Sequence, residues 1–235
     1  MKILITGTNR GLGLEFVKQY LERGEEVIAT CRDPEKAITL HDLQNDFADN
    51  LTIIQLDVVD KRSIDAAYER VKRKYEKIDL LINNAGIRSG GKKDGYTLGE
   101  LRTENIGKVL QVNAIAPVLL AEKFLDLIEK GKNPKIINIT SLLGSIGSKA
   151  RVFRYSYCAS KTALNMFSKL MSIELKNKGI IVVALHPGHV KTDLGGPHAP
   201  LVPKQSIKGM LKVIDSLSLE DTGKYLDWQR NEIPW

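Results

Sequence analysis

Apolar residues along this chain gather into short, nearly continuous runs, separated by longer stretches where they recur at helical spacing. Residues 2–6 (KILIT), 25–30 (EEVIAT), 51–57 (LTIIQLD), 78–83 (IDLLIN), 135–140 (KIINIT), 180–185 (IIVVAL) and 224–228 (KYLDW) read as strands. Runs this short and this apolar suit strands covered on both faces, as in a parallel sheet. Helical spacing is read over 11–23, 61–75, 97–130, 157–178 and 205–217, the third with breaks expected near Gly107 and Pro117. The alternation predicts an α/β protein: a doubly wound parallel sheet of about seven strands with helices on both faces. No linker or repeat interrupts it, so one domain is expected over 1–235.

Composition narrows the setting. The 235 residues are 43% hydrophobic and 27% charged, ordinary for a soluble globular protein. No apolar run approaches the roughly 18 residues of a membrane span, and no leader segment is expected. The net charge of +7 is dispersed among acids and carries no nucleic-acid motif. Neither the two cysteines, Cys31 and Cys158, nor the four histidines show metal-ligand spacing. The reading is a cytoplasmic protein that binds no nucleic acid, no membrane and no metal.

The first chemistry lies between strand 2–6 and helix 11–23, in Thr6-Gly7-Thr8-Asn9-Arg10-Gly11-Leu12-Gly13. Glycines there permit a tight turn and bring a pyrophosphate close to backbone N–H groups at a helix N-terminus. The spacing, G-x-x-x-G-x-G, differs from G-x-G-x-x-G. After the second strand comes Cys31-Arg32-Asp33-Pro34, where a doubly wound sheet meets the adenosine ribose. Arg32 and Arg10 could together grip a 2′-phosphate, which favours NADP. Asp33 argues the other way.

The second is Tyr157-Cys158-Ala159-Ser160-Lys161, with Ser141 sixteen residues upstream of the tyrosine. Residues four apart on a helix share a face, which places the phenol and the ammonium on one side. An ammonium about 4 Å away contributes on the order of 4 kcal/mol at an effective dielectric near 20, or about three pKa units. That would make the tyrosine a working proton donor. Tyr68 and Lys72 repeat the pattern within DAAYERVKRKYEK, read as a solvated helix face. Ser145 is a rival to Ser141, Thr140 reads as structural, and Tyr155 as a pocket wall.

Taken together, the glycine loop, Asp57, Asn83–Gly86, Asn113, Ser141, Tyr157, Lys161 and Pro187-Gly188 with Thr192 resemble the short-chain dehydrogenase/reductase family, over essentially the whole chain. The stretch 186–196 and the ending KYLDWQRNEIPW look most like Sniffer-type carbonyl reductases and bacterial C-factor proteins. The resemblance implies a Rossmann-like fold and an NADPH-dependent carbonyl reductase acting on a small-molecule carbonyl substrate. It assigns Ser141 to the substrate carbonyl, Tyr157 to proton donation, and Lys161 to the nicotinamide ribose and the tyrosine pKa. Asn113 would kink its helix and hold a water. For the cofactor it implies Gly7, Asn9, Arg10, Gly11, Leu12 and Gly13, with Asp57 and Val58 at the adenine. Asn83, Ala85 and Gly86 would lie near the ribose, and Pro187, Gly188, Val190 and Thr192 at the carboxamide. Homodimers or homotetramers built on helices 97–130 and 157–178 occur among relatives, as do monomers. Two alternatives stay open: a 3-oxoacyl-thioester or pteridine reductase, and a dinucleotide-binding signalling protein without useful catalysis. The Gly- and Pro-rich segment 191–205 is read as a mobile substrate lid.

Overall fold

The computed structural model describes residues 1–89 and 98–235. Its seven strands are β1 (Lys2–Thr6), β2 (Glu26–Cys31), β3 (Leu51–Gln55), β4 (Leu80–Asn83), β5 (Lys135–Ile139), β6 (Ile181–His186) and β7 (Tyr225–Asp227). All pair in parallel in one sheet of order β3-β2-β1-β4-β5-β6-β7. The sheet is Rossmann-like and doubly wound, as its apolar strands predict. Alternation along a strand divides its residues between two cores. Ile3 and Ile5 face one layer, formed by α1 (Gly11–Leu21), α2 (Ile38–Asp46) and α8 (Pro203–Ser216). Leu4 faces the other, formed by α3 (Lys61–Lys74), α5 (Ala116–Lys123), α6 (Leu125–Ile128) and α7 (Tyr155–Leu175).

The order reverses between β1 and β4. A crevice opens at such a switch point, at the carboxyl ends of the strands. The loops that follow β1, β4 and β5 therefore define the site.

Two helical expectations are corrected. No element was read between 34 and 50, yet α2 lies there; Leu40 is its one buried residue, so it carries no apolar stripe to read. The long helix 97–130 is several pieces; Thr97 lies outside the described residues. Gly107 sits unbroken inside α4 (Thr103–Leu110), and the irregularity is a π-helical turn at Gln111–Ile115. Pro117 has no N–H for the carbonyl of Asn113, four residues back, so the helical ladder slips just upstream of it. Among the described residues, no helix is long and apolar enough to cross a membrane.

Candidate active site

The glycine loop is held from behind by the segment after β4. Thr6 Oγ1 accepts the N–H groups of Asn84 and Ala85, each at 3.0 Å. Asn84 Nδ2 donates to the carbonyls of Thr6 (2.8 Å) and Gly7 (3.0 Å). Gly7 adopts φ +69, and a Cβ there would lie 2.9 Å from Ala85 Cα. At Gly13 a Cβ would collide with the Gly7 carbonyl and lie 2.6 Å from Asn84 Nδ2. Leu12 packs on the core, whereas Asn9 and Arg10 are exposed. No side chain caps the N-terminus of α1. Its uncapped N–H groups and dipole make a ready anion site beside the crevice. Gly13→Ala should unseat Asn84 and the loop at once, at about 1–3 kcal/mol of overpacking. A melting temperature unchanged by Gly13→Ala would contradict this packing.

Asn84 thus braces the glycine loop. The side chain of its neighbour Asn83 is buried in the sheet: its Nδ2 donates to Asn138 Oδ1 (2.8 Å) and to the Pro117 carbonyl (3.2 Å). Adjacent residues at a strand end point to opposite sides, and only Asn84 turns to the loop.

Arg32 stands exposed at the end of β2. Its neighbour Asp33 is ion-paired with Lys36, so the carboxylate that argued against NADP already has a cation. Arg10 reaches Asp193 at 3.0 Å, with both side chains largely in solvent. Asp57 shapes the turn after β3: its Oδ1 accepts the Val59 N–H (3.2 Å) and its own N–H donates to Ser63 Oγ (2.8 Å). Val58 is buried in that turn.

At the end of β5, Ser141 is extended and caps a 3-10 turn, its Oγ accepting the Leu143 N–H at 3.2 Å. Tyr157 and Lys161 occupy the first turns of α7, both buried. Burial pushes the Tyr157 phenol up to about 12, while a hydrogen bond with the Ser141 side chain and the nearby Arg88 charge pull it back. Burial lowers Lys161 to about 8. Its Nζ donates to the Ile139 carbonyl at 2.8 Å and lies 5.9 Å from the Tyr157 ring centroid. The expected ammonium–phenol contact is therefore corrected: i,i+4 spacing provides a common face, and the ammonium turns to the strand-end carbonyl. Ser141 is the neighbour that pulls the phenol pKa down.

The competing pair is different. Lys72 Nζ lies 3.0 Å from the Tyr68 hydroxyl, which donates to Asp126 Oδ2 at 2.8 Å. Tyr68 is not on a solvated face; it is buried, edge-on to Phe124, and ties α3 to α6. The charged residues that follow it on α3, Lys72 among them, are exposed. Ser145 is likewise engaged elsewhere, donating to the Pro234 carbonyl, and Thr140 Oγ1 donates to Asn165 Oδ1 at 2.7 Å.

Asn113 lies in the π-helical turn, fully buried. It clamps Ile87 on both sides, Oδ1 accepting its N–H (2.8 Å) and Nδ2 donating to its carbonyl (2.7 Å), and also donates to Ser160 Oγ (3.0 Å). Both amide protons are thus engaged within the protein. A Cβ on Gly86 would lie 3.4 Å from Asn113 Oδ1 and 3.8 Å from Lys161 Nζ, so these three converge.

After β6, Gly188 takes φ +82, with Leu201 Cδ1 2.5 Å from where a Cβ would stand. The Pro187 carbonyl accepts from Ser206 Oγ. Val190 is buried and pairs with Leu201; Thr192 Oγ1 accepts the Gly195 N–H at 3.0 Å. This turn is gripped from two sides, by Arg10 at Asp193 and by Arg88, which donates to the Leu194 carbonyl at 2.8 Å. Arg88 was not singled out from the sequence; its one signal was a cation directly after Asn84-Ala85-Gly86-Ile87.

A family model described as short chain dehydrogenase matches residues 1–200. The chain belongs to the short chain dehydrogenase family. As such it is an oxidoreductase. This short-chain dehydrogenase is 38% identical over 158 residues to C-signal of Myxococcus xanthus, spanning 67% of this chain and 93% of that one. It superposes on an NADPH-bound carbonyl reductase from chicken fatty liver with TM-score 0.91 and 38% identity, over 100% and 98% of the two chains. The Drosophila melanogaster carbonyl reductase Sniffer gives TM-score 0.92 and 33% identity, over 100% and 99%.

Proposed function

We propose that this short-chain dehydrogenase is an NADPH-dependent carbonyl reductase that converts a ketone or aldehyde to an alcohol, with Tyr157 as proton donor. The observation that carries the reading is the convergence at the end of β5 of Ser141, Tyr157 and Lys161, the last two buried on one face of α7 and Ser141 near enough to pull the phenol pKa down. The residues fit the cofactor: the α1 N-terminus is uncapped, close packing excludes a side chain at Gly7 and Gly13, Arg10 within the loop and Arg32 at the end of β2 are exposed, and Asp33 is ion-paired with Lys36. When bound, NADPH supplies the hydride. Negative charge then builds on the substrate oxygen, where the Ser141 hydroxyl donates and Tyr157 transfers its proton. Lys161 adds a fixed positive charge on the same side. The likeness to chicken carbonyl reductase and Sniffer supports the substrate class, and the likeness to C-signal leaves a signalling use of the same site as the second reading. NADPH oxidation against aldehydes, diketones, quinones and acyl thioesters tests the proposal. Turnover with none of them would favour the signalling protein, and turnover confined to acyl thioesters would favour that alternative.

The pKa directions set the pH dependence. Tyr157, raised to about 12, stays protonated through the neutral range, as reduction requires. Lys161, lowered to about 8, is charged below that pH and loses its charge above it. Carbonyl reduction should therefore be level near pH 6–7 and fall as pH rises through about 8. A rate that climbs with pH over this span would contradict the assignment.

Of segment 191–205, residues 203–205 form the first turn of α8, and the stretch before them, 191–202, is proposed to close over the substrate as one unit. Supporting this, it is stitched internally (Lys191 N–H to the Leu201 carbonyl, 2.7 Å; Gly196 N–H to the Thr192 carbonyl, 2.8 Å), while Arg10 and Arg88 hold it to the opposite walls. Its amides should exchange faster in the free protein than with NADP⁺ and a substrate analogue. Equal protection in both states would make it scaffold.

A further inference from the structure

Tyr225 lies on β7 with its side chain fully buried. Its hydroxyl donates to the backbone carbonyl of Ser141, 2.5 Å away and 84 residues earlier in the chain. The same carbonyl accepts the Gly144 N–H at 2.7 Å, so both of its lone pairs are engaged. Those two bonds fix the peptide plane that leads out of Ser141. Leu143 N–H occupies the acceptor side of Ser141 Oγ, leaving the hydroxyl proton free to donate.

The phenol is itself held on every side. Its ring stacks on Trp235 with centroids 5.3 Å apart and planes tilted by 32°, and its backbone carbonyl accepts the Ile233 N–H at 2.8 Å. Asn165, which receives the Thr140 hydroxyl and donates to the Gly144 carbonyl, lies near it and pulls the phenol pKa down. Further along the same loop, Ser145 donates to the Pro234 carbonyl and the Gly147 N–H to that of Trp235 (2.9 Å). The chain carrying Ser141 is thus bolted to the segment 225–235.

We infer that Tyr225 is a positioning residue for Ser141: through the Ser141 carbonyl it sets where the serine hydroxyl points, and so acts on turnover without touching substrate or cofactor. This rests on the role proposed for Ser141 above. A hydroxyl that stabilises developing charge must be placed before the reaction begins, because misplacement by a fraction of an ångström weakens the bond it makes in the transition state.

The test is a double-mutant cycle of Tyr225→Phe and Ser141→Ala, read as kcat and KM for the best carbonyl substrate and as NADPH dissociation constant. Tyr225→Phe should lower kcat about tenfold with NADPH affinity unchanged, and should have no further effect once Ser141 is alanine. Tyr20→Phe serves as control: Tyr20 is another fully buried tyrosine, its hydroxyl without a hydrogen-bond partner among the described residues, and its loss should leave kcat unchanged. Equal losses from Tyr225→Phe in both backgrounds would overturn the inference, as would wild-type kcat in Tyr225→Phe. A Tyr225→Phe protein that does not fold would also overturn it, by making the hydroxyl a stability element. If Ser141→Ala alone keeps full turnover, the reading of the site has failed and this inference goes with it; if Ser141→Ala is impaired and Tyr225→Phe is not, only this inference has failed.

Discussion

Tyr157→Phe is expected to reduce carbonyl-reduction turnover by a factor on the order of 10² or more, with NADPH affinity kept within about tenfold. The substitution removes one oxygen from a ring that is already buried by its surroundings. Tyr68→Phe is the comparison. It removes the bond to Asp126 that ties α3 to α6, so it should cost on the order of 1 kcal/mol of stability and leave turnover intact. Stopped-flow turnover, NADPH titration and thermal melts on the two variants separate the effects. Comparable losses of turnover from both, or from neither, would end the assignment of Tyr157.

Arg10→Ala and Arg32→Ala should each weaken NADPH while leaving NADH nearly unaffected. A charge-assisted contact to a phosphate is worth about 1.5–3 kcal/mol, or roughly 10- to 100-fold in affinity for each. Arg10 has a second partner in Asp193, which competes for the same guanidinium. Asp193→Ala should therefore tighten NADPH slightly or leave it unchanged, and never weaken it through Arg10. Loss of NADH and NADPH affinity in equal measure would show that the arginines hold the glycine loop and do not read the 2′-phosphate. High salt should narrow the NADPH preference, since both side chains face solvent.

Much of the fold was legible because burial on two faces leaves nearly continuous apolar runs, clearest in β1, β4, β5 and β6. The helix α2 was not, since one buried leucine makes no periodicity. The π-helical turn was misplaced toward Gly107 and Pro117; proline acts on a carbonyl four residues back, so the irregularity lies upstream of the residue that causes it. In the site, the glycine loop and the Ser141–Tyr157 pair were legible as motifs. That Asn84 turns to the glycine loop while Asn83 turns into the sheet was not legible, because only the alternation of the strand end separates them. Lys161 was expected against the phenol because helix spacing was read as distance, when it gives only direction.

What the sequence by itself determined is local: which segments are strands, where glycine must stand in a turn, and which side chains share a helix face. Those follow from periodicity and from steric rules that act over a few residues. Which chemically similar residue meets which was decided by the sheet order. It brings β7 under the loop after β5, so Tyr225 holds Ser141; it turns Ser145 toward Pro234; and it sends Tyr68 into the α3–α6 contact while Tyr157 faces the crevice. Contacts between residues far apart in the chain have no period in the sequence, because they are fixed by the packing of whole layers.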